Sequence, residues 1–313
     1  STADVAVVLL DARRGVIEQT RRHTTIAAML GIPHIVFAVN KLDLVDFGEA
    51  EFRAIEADLT ALTDRLGVRD AVAIPIAALP GDNVVEPSER LSWWDGGTFL
   101  ERLEQIEIAG DRDAAHRRFP VQWVIRPMSG EHPDFRGYAG QVAGGEWRAG
   151  DEVVVLPSGR TTTVAAVETH DGVLEVAVQG QSTIVRLADE LDVSRGDMLS
   201  DPADRPIAAR ELEATVCWLS ERSAPTGARL AIKHTTRWSR AVLDEVLSVL
   251  DVETLEEVPA DGLALNDLAR VRLRLAGPLL VDPYSVNRQT GSFVLVDEAT
   301  NETVGAGMVL AGA

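Results

Sequence analysis

The sequence predicts an α/β domain on a parallel sheet, followed by antiparallel β-structure that includes a barrel. Three observations carry this. Apolar runs alternate with amphipathic segments through the first third of the chain, the rhythm changes after Phe119 to short strands punctuated by Gly and Asp, and polar stretches at 110–118 and 201–206 separate the parts. The expected division is 1–110, 118–203 and 208–313. A length of 313 residues suits two or three domains, and an apolar fraction of 46% is ordinary for a globular chain.

Val5–Leu10 is a continuous apolar run, as in a parallel strand covered on both faces. Gln19–Leu30 reads as a helix stopped by Gly31-Ile32-Pro33, and Ile35–Val39 as a second buried strand. In Glu49–Leu66 the residues Phe52, Ile55, Leu59, Leu62 and Leu66 recur at spacings of three and four, which marks a helix. Ala71–Leu79 is the third expected strand. Thr98–Ile106 is the last helix of this part, with Phe99, Leu100, Leu103 and Ile106 on one side. Further strands are expected at Val121–Ile125, Gly137–Val142, Glu152–Leu156, Thr162–Val167, Val173–Val178 and Ser182–Leu187, then at Glu213–Leu219, Arg229–Lys233, Ala269–Leu275 and Ser292–Val296. Leu243, Val246, Leu247 and Leu250 have helical spacing, so pattern alone makes 241–250 a helix.

The net charge of −19 argues against a surface that docks on nucleic acid, although a nucleotide needs only a local pocket. Lys41 and Lys233 are the only lysines. The single cysteine, Cys217, cannot form an internal disulfide, and a reducing, cytoplasmic setting fits. No apolar run reaches the ~18 residues of a spanning helix. The six histidines have no metal-ligand spacing. His132 and His234 read as solvated or packed, Trp93-Trp94 as loop packing, and Arg13-Arg14 and Arg117-Arg118 as solvated or paired charges.

Asn40-Lys41-Leu42-Asp43 directly follows the second strand, at the C-terminal edge where ligands of such sheets bind. An N-K-x-D tetrad in that position is the guanine-reading corner of a GTPase. Guanine offers adjacent N1–H and N2–H₂ donors to one carboxylate, here Asp43, and adenine presents no such pair. Lys41 can lay its aliphatic stem along the base, while Asn40 ties the loop to its neighbours. Ala77-Ala78-Leu79 ends the next strand, where GTPases carry a short Ser-Ala-x loop whose backbone N–H faces the base oxygen. Ala77 stands in place of the serine, and the backbone donor of Ala78 remains. No G-x-x-x-x-G-K-[ST] phosphate loop occurs in the chain. Asp64-Arg65-Leu66-Gly67 has the letters of a switch motif but lies at a helix end, as a coincidence. The phosphate and magnesium half of the site is expected upstream of Ser1.

The strings Asp11-Ala12-Arg13-Arg14-Gly15 and Glu18-Gln19-Thr20-Arg21-Arg22-His23 resemble the translational-GTPase branch just after its second switch. Asp134-Phe135-Arg136-Gly137-Tyr138, Ser194-Arg195-Gly196-Asp197, Lys233-His234-Thr235-Thr236 and Asn287-Arg288-Gln289-Thr290-Gly291 are similar to the GTP-binding large subunit (subunit 1, CysN) of bacterial heterodimeric sulfate adenylyltransferase. The resemblance implies an elongation-factor-Tu-like chain: a partial P-loop GTPase domain, here its C-terminal part, followed by two antiparallel β-barrel domains. It implies a strand at 241–250. It further implies GTP with Mg²⁺, and GTP hydrolysis coupled to a small subunit (subunit 2, CysD) that makes adenylyl sulfate and diphosphate from ATP and sulfate. Some members continue into an adenylyl-sulfate kinase domain. Guanine-site residues carry over to Asn40, Lys41, Asp43, Ala77, Ala78 and Leu79, and no catalytic or metal-binding residue carries over. The alternatives are an RNA-binding translational GTPase, which the acidity opposes, and a non-catalytic module that docks a partner.

Overall fold

The computed structural model describes residues 3–107, 115–127 and 135–312. The chain forms two compact units, Ser1–Gly110 with Asp251–Glu256, and Asp111–Leu250 with Glu257–Ala313.

The first unit holds a three-stranded parallel sheet in the order β1 (Val5–Asp11), β2 (His34–Asn40), β3 (Asp70–Pro75). Helices α1 (Glu18–Met29), α2 (Glu49–Leu66) and α3 (Phe99–Gln105) join or follow the strands. Ile35–Val39 is buried throughout because both faces of β2 are covered. Phe37 and Val39 pack with Phe52, Ile55 and Leu59 of α2, and Val36 and Ala38 pack with Ile74 and Ile76 beside Phe99 and Leu103. Each such fully buried side chain contributes about 1.5–3 kcal/mol. Trp93 and Trp94 pack on Phe52 with ring centroids 5.4 Å away, which is the expected packing role.

The third strand is shorter than expected. It ends at Pro75 rather than Leu79: Ile76 N–H still donates to the Val39 carbonyl at 2.9 Å, and the chain then leaves the sheet at Ala77. Ala77 turns instead: its carbonyl accepts from Gly81 and Asp82, and its N–H donates to the Asp82 carbonyl.

The second unit is two six-stranded antiparallel barrels. In the first, β4 (Arg118–Ile125), β5 (Gly137–Gln141), β6 (Glu152–Leu156), β7 (Arg160–Thr169), β9 (Ser182–Leu187) and β10 (Met198–Ser200) close in the order β6-β10-β4-β5-β9-β7, with β7 back on β6. The expected strand at Val173–Val178 is only β8 (Gly172–Val173), and Ala177 makes an isolated bridge to Trp147. The second barrel runs β13 (Arg229–His234), β18 (Ser292–Val296), β19 (Thr303–Gly312), β11 (Ile207–Trp218), β17 (Leu268–Val281), β14 (Arg237–Leu250), closing on β13. The short strands β12 (Ala224–Pro225), β15 (Glu257–Val258) and β16 (Gly262–Leu263) decorate it. The segment 241–250 is strand, against its helical spacing.

The stretch 201–206 is not a loose linker. Asp201 and Asp204 accept from Arg117, His116 and Arg118, which staples it to the start of β4. Arg118 is paired but buried, at 1% exposure. His234 is packed, and His132 lies outside the described residues.

Candidate functional site

The tetrad leaves the sheet abruptly. Lys41 adopts a left-handed conformation (φ 67°), Leu42–Val45 forms one 3₁₀ turn, and Asp46 and Phe47 are again left-handed (φ 52° and 53°). Such backbone costs a non-glycine residue about 1–2 kcal/mol each and is held only where surroundings enforce it. Here Leu42 is completely buried. Its N–H donates to the Ile76 carbonyl, its carbonyl accepts from Phe47 N–H at 2.8 Å, and Trp93 Nε1 donates to the Phe47 carbonyl at 2.9 Å.

Asn40 joins the two loops. Its Oδ1 accepts from Lys41 N–H at 2.8 Å and from Ala78 N–H at 2.9 Å. The expected bracing role of Asn40 is therefore present in the geometry. The Ala78 donor survives, but it is engaged by Asn40. Ala77 is buried beneath the turn, and Leu79 is 98% exposed. Asp43 is half-exposed and makes no side-chain hydrogen bond among the described residues.

Lys41 is anchored by a residue that motif reading misses. Its Nζ lies 3.0 Å from Asp11 Oδ2, and Asp11 also takes a bidentate pair from Arg13, Nε to Oδ1 at 3.0 Å and Nη2 to Oδ2 at 2.6 Å. The Arg13 side chain first, then Lys41, holds the Asp11 carboxyl well below the usual carboxylate range against its partial burial. The signal was available: aligning Val5–Leu10 with Ile35–Val39 as parallel neighbours sets Asp11 opposite Asn40, as the register does.

Among the described residues no group of His, Cys, Asp or Glu could hold a metal ion. The arrangement can grip a flat base by its edge and face.

Residues 1–127 match the elongation factor Tu GTP binding domain family, and residues 211–310 the GTP-eEF1A C-terminal domain-like family. The bifunctional enzyme CysN/CysC of Mycobacterium tuberculosis is 48% identical over 312 residues, 99% of this chain and 51% of that protein. Sulfate adenylyltransferase subunit 1 of Bacteroides fragilis is 45% identical over 310 residues, 99% of this chain and 64% of that protein. The chain is a homologue of sulfate adenylyltransferase subunit 1. This homologue spans about half to two thirds of the length of the curated relatives it matches. The solved structure of Sup35 complexed with GMPPNP aligns at a TM-score of 0.58 and 22% identity, covering 99% of this chain and 79% of that one. That likeness shows the elongation-factor-Tu-like fold.

Proposed function

We propose that this chain supplies the guanine-reading corner and both barrels of the GTP-binding subunit of a sulfate adenylyltransferase, divided as a partial GTPase domain at 1–110 and barrels at 118–203 and 208–313. The observation that carries the reading is the tetrad Asn40–Asp43, braced against the Ala77–Leu79 turn at the C-terminal edge of a parallel sheet. Asp43 takes the guanine N1–H and N2–H₂ donors on a carboxylate that no neighbour competes for by hydrogen bonding. Lys41, pinned at its tip by Asp11, lays its stem against the base. Guanine O6 competes with Asn40 Oδ1 for the Ala78 amide, so base entry exchanges one acceptor for another. In the whole protein, GTP hydrolysis is coupled to the uphill transfer of AMP from ATP to sulfate by a small partner subunit in the cytoplasm, with diphosphate as the second product. No G-x-x-x-x-G-K-[ST] phosphate loop occurs in residues 1–313, and among the described residues no group of His, Cys, Asp or Glu could hold a metal ion.

Calorimetric titration of residues 1–313 with GTP tests the division of labour. The expected result is no binding detectable at micromolar concentration, because most contacts to a nucleoside triphosphate are to its phosphates. Micromolar binding refutes that. In a protein carrying the phosphate loop, Asp43→Ala is expected to lower GTP affinity at least ~100-fold, from loss of a charge-assisted bond pair to the base, and to narrow the preference for GTP over ATP. Unchanged GTP affinity sinks the guanine assignment. Co-purification of an ATP-pyrophosphatase-like small subunit separates sulfate activation from the RNA-binding alternative.

A further inference from the structure

The first barrel carries a second concave feature that the guanine site does not use. A cavity of about 620 Å³ is lined by the strand end Trp123–Pro127 together with Arg136, Asp192, Val193 and Ser194. It is broad and open at its mouth.

Its wall is shaped by a defect in the ladder. The register between β4 and β5 shifts between Val121 and Trp123. A bulge puts an extra residue on one strand and re-aims the side chains beside it. Gln122 and Trp123 consequently both face outward, and the Trp123 indole is 65% exposed. Arg195 caps the bulge, its Nη1 donating to the Gln122 carbonyl at 3.0 Å. The exposed Trp123 indole shares one cavity lining with Val124, Ile125 and Val193, so the apolar surface is a patch rather than a single residue, and such patches mark interaction sites.

The charge of the cavity is opposite to that of the chain. Arg126 is exposed and makes no ion pair among the described residues. Arg136 is mostly buried, stacked over the Tyr138 ring at 5.6 Å, and its Nε is buried without a hydrogen-bond partner. Among the described residues its one ion pair, to the fully exposed Asp192, is stretched to 3.9 Å. The part of the Arg136 side chain that remains exposed, 19%, can take a partner carboxylate in a charge-assisted bond. The cavity thus offers an aromatic platform, an aliphatic floor of Val124, Ile125 and Val193, and two arginines against one carboxylate, in a chain of net charge −19.

We infer that this cavity on the first barrel is a docking site for an acidic-apolar segment of a partner polypeptide, one that sets a carboxylate against Arg136 and an apolar side chain against Trp123. The open mouth suits a segment presented by a larger body, since enclosed pockets are the sites that bury most of a small ligand. A nucleic acid requires a continuous basic surface, which the net charge opposes.

The test uses residues 1–313 and three fluorescent probes: a short peptide alternating glutamate with leucine and phenylalanine, the same peptide with lysine for glutamate, and a single-stranded oligonucleotide. Only the acidic peptide is expected to bind, with affinity falling as salt rises, and it should move the Trp123 indole N–H resonance, identified by its loss in Trp123→Phe. Trp123→Ala and Arg136→Gln should each weaken binding about tenfold or more, and Arg136→Lys less. Because Trp123 is exposed, Trp123→Ala leaves the fold intact and guards against misreading an unfolded Arg136 variant. Absence of acidic-peptide binding, binding unchanged in Trp123→Ala, or preference for the lysine peptide or the oligonucleotide overturns the inference.

Discussion

His234 sits at 1% exposure inside the second barrel, and its Nε2 meets the Thr290 carbonyl at 2.7 Å. Burial pulls its pKa below the ordinary value, against the opposing effects of that carbonyl and of Asp282. A histidine held neutral in the folded state leaves the unfolded chain binding more protons. Its contribution is therefore intact above the unfolded pKa of about 6.5 and is lost as pH falls below it. The carboxyls of Asp11, Asp201 and Asp204 are shifted down and lose their contribution only at more acid pH, below about 4. The thermal midpoint is thus expected to fall between about pH 7 and about pH 5, and His234→Gln, which keeps a donor without the titration, should flatten that interval alone. Parallel pH profiles for the two proteins would rule His234 out as the source.

At the scale of elements, α3 depends on its first turn. Thr98 Oγ1 accepts from Glu101 N–H at 3.1 Å, Glu101 Oε2 accepts from Thr98 N–H at 2.8 Å, and the two form a complete capping box. Thr98→Ala should cost about 1 kcal/mol, read as roughly fivefold faster amide exchange along Phe99–Gln105; exchange unchanged by the substitution would show that tertiary packing alone holds the helix. The elements also show where sequence reading succeeds and where it stops. Glu49–Leu66 was legible in full because nothing interrupts its period. The segment 241–250 was not, and the cause is physical. Bulges between Leu243 and Glu245 and between Val246 and Ser248 shift the alternation, so the buried set is Ala241, Leu243, Val246 and Ser248. A strand whose phase jumps by one residue reproduces a spacing of three, which mimics a helix. In the site, Asn40, Lys41 and Asp43 stood out because they are contiguous. Asp11 and the capture of the Ala78 amide by Asn40 depend on strand register and loop closure, which a linear pattern does not carry.

At the scale of the molecule, the second unit unites two separately closed barrels, and both apolar and polar contacts cross their junction. Leu280 of one barrel packs on Val154, Leu156 and Met198 of the other. Asn287 Nδ2 donates across to the Ala143 carbonyl at 2.8 Å. Between these, Arg118 makes a bidentate pair with Asp282, both bonds 2.9 Å, and also donates to the Asp204 carbonyl at 2.8 Å. Asp282 is completed by Thr290 Oγ1 at 2.6 Å, and the same loop presents the carbonyl that His234 meets. The string Asn287–Gly291 that carried part of the family resemblance therefore has a mechanical role in this fold. Gly291 belongs to that role, because a Cβ there would lie 2.5 Å from the Tyr284 backbone. A buried pair of this kind is strongly asymmetric: breaking it strands a charge, at a cost of about 3–5 kcal/mol, whereas replacing both partners with apolar groups is often neutral or better. Arg118→Met and Asp282→Leu are each expected to destabilise the second unit by that amount in chemical denaturation. The double variant should recover most of the loss, although Thr290 then forfeits its acceptor. If the two single costs simply add, the ion pair is not what joins the barrels, and the apolar contact around Leu280 must carry the junction instead.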